Sequence, residues 1–215
     1  TVHTGAITTP TWSAAQTLPF SFTFNGTAYT SVKISSSGIV TFTASPSSTI
    51  ASTNVALPNA NVPDNSLCVL GINASASGDF VVTKTFGSAP NRQYYVQFNS
   101  MTEPNLASGW VYFSIVLEET TNKIYFVDQR ASGAGCKLSV GIQINSTTAV
   151  SVAGSPTLGA NNSNSPEVSD NSYYEFIYGT QPAYDLSATK INMSNYLILS
   201  QAPFTISADV MNMGT

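Results

Sequence analysis

The chain has 215 residues, 42% of them hydrophobic, yet only 8% are Asp, Glu, Lys or Arg, against roughly a quarter in an ordinary soluble domain. Its 11 acids and 7 bases leave a net charge of −4, which argues against the broad basic surface that nucleic-acid binding draws on. Ser, Thr and Asn fill the polar positions and Phe and Tyr are abundant, at 11 and 10; this favours strands and turns over helices, whose exposed faces use Glu, Lys, Arg and Ala.

In chain order the pattern is that of short strands with period two. Phe20, Phe22 and Phe24 are set to point one way and Ser21 and Thr23 the other, and Asn25-Gly26 supplies a turn that tolerates positive φ. Tyr29–Ile34 and Ile39–Phe42 follow. Ala44 to Pro63, rich in Ser, Asn and Pro, reads as a long surface loop of the kind that carries recognition on a rigid sandwich. Further strands are expected at Leu67–Ile72, Phe80–Phe86, Gln93–Met101, Trp110–Glu118, Lys123–Asp128, Leu138–Ile144, Ala149–Val152 and Tyr173–Tyr178, with turn residues in nearly every gap. Gly154 to Asn171 reads as a polar loop. No stretch makes a convincing helix of three turns, and the longest apolar runs, such as Trp110 to Leu117, are strand-length, short of the roughly 20 residues of a membrane helix. The start at Thr1, without a charged-then-apolar leader, suits a processed secreted protein or a fragment.

These elements predict an all-β, antiparallel two-sheet sandwich of jelly-roll topology over residues 1–182. A boundary falls at Gly179-Thr-Gln-Pro182. Residues 183–215, with strands expected at 184–191, 196–199 and 204–210, read as the first strands of a truncated second domain, whose open edges would let two copies pair through 184–215.

Cys68 and Cys136 each sit at or just before an apolar strand pattern. One disulfide between them is the preferred reading, with two buried thiols as the alternative. His3 is the sole histidine and lies on a terminus expected to fray, so a Ser-His-Asp or Cys-His site is set aside. Glu103, Glu118 and Glu119 are the carboxylates to weigh for glycoside hydrolysis, but adjacent strand residues face opposite sides, so Glu118 and Glu119 do not share a cleft. The glycines lack the spacing of a phosphate loop. Asp79 and Asp128 lie in or beside turns, where their hard oxygens would suit a structural Ca²⁺; capping of Asx turns explains them equally, and no cofactor is otherwise implied. Five Asn-x-Ser/Thr triplets, at Asn25, Asn73, Asn145, Asn161 and Asn192, are what a chain this rich in Ser, Thr and Asn contains by chance. For carbohydrate, the stacking candidates are Trp12, Trp110, Tyr94, Tyr95, Tyr173 and Tyr174; a Tyr-Tyr pair in a strand sends one ring in and one out, and packing within the sheet is the competing use.

Three blocks in order carry a resemblance. Leu18 to Phe42, with Phe20-Ser-Phe-Thr-Phe-Asn-Gly and Tyr29-Thr-Ser-Val-Lys-Ile-Ser-Ser-Ser-Gly-Ile-Val-Thr-Phe42, resembles the opening of a β-sandwich module in secreted and surface proteins of Bacteroidetes. Ala89-Pro-Asn-Arg-Gln-Tyr-Tyr-Val-Gln-Phe98 and Leu117-Glu-Glu-Thr-Thr-Asn-Lys-Ile-Tyr-Phe126 are similar to its later strands. The resemblance covers roughly residues 15–145 and implies export of the type IX kind. The acidic segment with Trp that often follows the family's long loop is replaced here by Leu67-Cys-Val-Leu-Gly-Ile72, so no ligand role is carried over from it. The tail from Tyr184, ending Asn212-Met-Gly-Thr215, resembles the first strands of a bacterial Ig-like adhesion repeat, and implies neighbouring Ig-like domains.

The function expected is therefore a non-enzymatic extracellular or cell-surface module, structural or adhesive, with a surface protein as partner. A lectin-like glycan-binding domain attached to a secreted hydrolase is the alternative, and a polysaccharide-active jelly roll a third reading.

Overall fold

The structure, a computed structural model, describes residues 1–104, 109–132, 135–160, 171–177, 179, 186–192 and 207–212. The strands, in order, are β1 (His3–Thr4), β2 (Gln16–Phe24), β3 (Thr27–Ile34), β4 (Ile39–Thr41), β5 (Ser66–Leu70), β6 (Phe80–Phe86), β7 (Gln93–Glu103), β8 (Gly109–Glu118), β9 (Ile124–Ala131), β10 (Ser139–Asn145), β11 (Thr148–Ser151), β12 (Ser172–Phe176), β13 (Leu186–Asn192) and β14 (Ser207–Asn212). No helix occurs among the described residues.

Two antiparallel sheets of six strands form the sandwich. The first runs β1-β6-β7-β8-β9-β12 and the second β11-β10-β5-β4-β3-β2. The sandwich is as the alternation predicts, but its connectivity corrects the jelly-roll expectation. Each sheet is built around a meander of four consecutive strands, β6 to β9 and β2 to β5, whereas a jelly roll is wound from Greek keys. Short turns join most of these successive strands and place neighbours in sequence beside each other in space; β4 and β5 are neighbours too, but the long 42–65 segment connects them. Asn25 and Gly26, at φ 48° and 76°, make the β2–β3 turn that their sequence predicts.

Between the sheets lies one apolar core. Leu18, Phe20, Phe22 and Phe24 of β2 all enter it while Ser21 is exposed, and Phe98, Phe113 and Phe126 enter it from the facing sheet. The N-terminus corrects a second expectation. It is not frayed: β1 pairs with β6 through His3↔Val81 and Thr4↔Phe80, and the buried His3 lies with Nε2 2.9 Å from the Ile34 carbonyl oxygen.

The chain divides into two compact units, Thr1–Tyr178 and Gly179–Thr215. In the second, β13 and β14 pair antiparallel. The strand expected at 196–199, the start of that at 204–210, and the 161–170 part of the polar loop, with Asn161, lie outside the described residues.

Candidate functional site

The outer faces of the two sheets are finished differently. On the second sheet, the register aligns Ile39, Cys68 and Gly141 in one row, Thr41, Ser66 and Gln143 in the next, and Leu70 with Ser139 beyond them. All of these point away from the central core, yet Ile39, Cys68 and Leu70 are fully buried. The segment 44–63 covers them, packing Ala51 and Val62, with Ile50, Val55 and Leu57 partly buried, into a second apolar cluster. Polar side chains of the sheet hold the segment's backbone. Gln143 Nε2 donates to the carbonyls of Asn59 (3.1 Å) and Val62 (2.6 Å) while its Oε1 accepts from Asn59 N–H (2.8 Å). Ser139 Oγ donates to Val55 O (2.5 Å) and Ser37 Oγ to Ala51 O (2.9 Å). The segment expected as a free recognition loop is instead largely a cover.

The same arrangement overturns the disulfide. Cys68 and Cys136 are free thiols, the first under the 44–63 cover, the second in the core between the sheets. The second sheet separates them, so the buried-thiol reading holds. Burial, then the charge of Glu103, pushes the Cys136 thiol up to about 12, and burial alone raises that of Cys68.

The outer face of the first sheet has no such cover among the described residues. Its register sets Lys84, Tyr95, Val116, Tyr125 and Glu175 in one transverse row, and Val82, Gln97, Ser114, Val127 and Tyr173 in the next. Tyr95 and Tyr173 line a cavity of about 450 Å³ with Gln93, Tyr125, Val127 and Asn171, floored by Val116. A second cavity of about 190 Å³ lies on the other side of Tyr95, against Phe86, Gln97, Ser114 and Gln129. Two ring pairs flank β8: Phe86 meets Tyr95 edge-on at 5.1 Å, and Tyr125 meets Tyr173 at 6.1 Å.

Acidic charge on this face is matched locally, whereas Lys84, exposed in the first row, forms no ion pair among the described residues. Lys123 pairs with Glu175 at 2.7 Å. Glu118 accepts from Gln93 Nε2 (2.9 Å) and Thr121 Oγ1 (2.7 Å); burial works against its ionised form, but these hydrogen bonds, Lys123 and Tyr125 hold its carboxyl below the ordinary value. Burial, then the charge of Glu118, raises the Tyr95 and Tyr125 hydroxyls, which stay protonated donors at neutral pH.

Of the six aromatics singled out from sequence, the structure brings Tyr95 and Tyr173 into one cavity, while Trp12 packs against the covered cluster of the second sheet and its Nε1 donates to Ser47 O (2.8 Å). Their neighbours Tyr94 and Tyr174 turn inward, Tyr94 into the core and Tyr174 against it. Trp110 is half-buried at the far end of β8, edge-on to Tyr112 at 5.3 Å, with the Arg130 guanidinium over both rings. Tyr125, Gln93 and Gln97 were not among the candidates; their signal is the outward set Gln93-x-Tyr95-x-Gln97 and Tyr125-x-Val127-x-Gln129 that strand alternation defines.

The acids have other uses. Asp79 is buried, and its Oδ2 accepts from Ala76 N–H (2.9 Å), Thr102 N–H (3.2 Å) and Thr102 Oγ1 (2.7 Å), which ties the start of β6 to β7. Asp128 is buried in β9 and Glu103 at the end of β7. No group of three or more His, Cys, Asp or Glu able to hold a metal occurs among the described residues. Glu118 lies on the outer face, whereas Glu119 forms a two-pronged pair with Arg92, Nη2 to Oε1 at 2.6 Å and Nε to Oε2 at 2.8 Å. Thr120 Oγ1 donates to Pro90 O (2.7 Å) beside it, and Asn122 Oδ1 accepts from Thr23 N–H (2.7 Å). The blocks around Arg92 and Glu119-Thr-Thr-Asn122 that carry the sequence resemblance thus meet in one structural corner rather than at a ligand site.

A family model described as NIDO related matches residues 2–178. No curated protein and no solved structure matches the chain.

Proposed function

The chain belongs to the NIDO-related family over residues 2–178, a family whose members are usually extracellular, and from that premise we propose that it is a non-enzymatic recognition module of a secreted or surface protein, adhesive through the outer face of its first sheet. The observation that carries this is the contrast between the faces: one is sealed by the chain's own segment, the other exposes paired aromatic rings beside a cavity. Exposed aromatic area with a few convergent polar groups is what ligand sites are made of. The likeness of the three sequence blocks to secreted Bacteroidetes modules supports the same setting. No helix among the described residues is long and apolar enough to cross a membrane.

The test is adhesion under flow. Beads coated with the chain are expected to hold to a surface coated with mucin glycoprotein or with gelatin, and the double substitution Tyr125→Ala/Tyr173→Ala to release them. Thr49→Arg, on an exposed position of the covering segment, should leave adhesion unchanged. Retention lost through Thr49→Arg and kept by the tyrosine variant would overturn the assignment of the face.

A further inference from the structure

We infer that the cavity over β8 binds an uncharged glycan chain, seated between the Phe86/Tyr95 and Tyr125/Tyr173 ring pairs; this deepens the recognition reading above and rests on it. Three observations point to that ligand class rather than to another.

The first is charge. The carboxylates on this face are matched by Lys123 or by hydrogen bonds from Gln93 and Thr121, and Arg130 lies over the Trp110 and Tyr112 rings. Lys84 lines the second cavity without an ion pair among the described residues, but one lysine on a chain of charge −4 is not the cationic cluster that a sulfated, phosphorylated or uronic-acid polymer calls for.

The second is the alternation of chemistry. Apolar and amide side chains take turns across the face, as in Gln93, Tyr95 and Gln97 along β7. A sugar ring presents apolar C–H patches rimmed by hydroxyls, and aromatic faces together with amide groups satisfy both. A folded protein surface would call for a more continuous apolar centre.

The third is width. Tyr95 on β7 and Tyr125 on β9 pair with the same residue, Val116 of β8, so two strand spacings, about 10 Å, separate their backbones. With a ring standing on each side, the gap is narrower than the roughly 10–12 Å of an α-helix with its side chains. A single saccharide chain suits it.

The experiment is a glycan array carrying neutral, sialylated and sulfated oligosaccharides, followed by calorimetry with the neutral oligosaccharide retained best. The expected result is binding to a neutral glycan whose Kd does not change between 50 and 500 mM NaCl. Tyr95→Ala and the more exposed Tyr173→Ala should each weaken it by about tenfold or more, and Tyr94→Phe, whose ring faces the core, should not. Binding confined to charged glycans and lost in high salt overturns the inference. So does the absence of any neutral hit while beads still adhere through the same tyrosines; in that case the recognition reading stands. Neither glycan binding nor adhesion overturns both.

Discussion

The two outer faces of this sandwich begin from the same number of strands and end in opposite states. The second sheet presents Ile39, Cys68 and Leu70 outward and also Ser139 and Gln143, and the 44–63 segment buries all five. A buried amide is costly unless its groups are paired, and here the segment's carbonyls and one of its N–H groups do the pairing. The first sheet presents Tyr95, Tyr125 and Tyr173 among amides and keeps them accessible. An outward polar residue therefore means one of two things: solvent, or a clamp for the chain's own backbone. The face left over after the clamps are assigned is the one available to a ligand.

The sharpest way to break the contrast is to empty the covered side. Leu70→Ala should cost about 2–5 kcal/mol in urea unfolding, because its side chain is fully buried beneath the segment. A loss below 1 kcal/mol would show that the cover is not packed. Gln143→Ala should cost about 1–3 kcal/mol by stranding the Val62 and Asn59 carbonyls, whereas Gln97→Ala on the open face should stay within about 0.5 kcal/mol. Equal losses at the two glutamines would erase the distinction.

Thiol chemistry sharpens it next. Both cysteines are buried with raised pKa values, so a disulfide-exchange reagent should react slowly with the folded chain and with two thiols once it is unfolded; no thiol released on unfolding would mean a bond between them. The smallest effect belongs to Glu119. The Arg92 hydrogen bonds hold its carboxyl below the ordinary value, so its favourable contribution is present above the ordinary carboxylate pKa and is lost as pH falls through the lowered one. The stability gap between the native chain and Glu119→Gln should therefore be small, because the pair is near the surface, and should close in acid rather than in base.

Much of this fold is legible in the sequence, and each place where reading fails has a physical cause. Alternation in Phe20-Ser-Phe-Thr-Phe24 and in Gln93 to Phe98 marks one buried and one accessible face, and the strands lie where it says. Leu67 to Leu70 does not alternate, and β5 is buried at every position; an uninterrupted apolar run signals a strand covered on both sides. That run foretells a cover. The segment supplying it reads as a surface loop because Ile50, Val55, Leu57 and Val62 are spread thinly among Ser, Asn and Pro. The disulfide expectation fails for another reason: spacing along the chain does not say on which side of a sheet each thiol falls. In the candidate site, Tyr95 and Tyr173 are legible in their Tyr-Tyr steps, whereas Tyr125 is not, because its place beside Tyr173 depends on β12 returning to β9.

Hydroxyl-radical footprinting of the folded chain, with each peptide normalised to its unfolded rate, reads both faces in one experiment. Tyr173 and Phe86 are expected to oxidise close to their unfolded rates, half-buried Tyr125 more slowly, and Val62 and Leu70 to be strongly protected. Oxidation of the 50–62 peptide as fast as that of Tyr173, or protection of Tyr173 in the free chain, would contradict the contrast between the two faces.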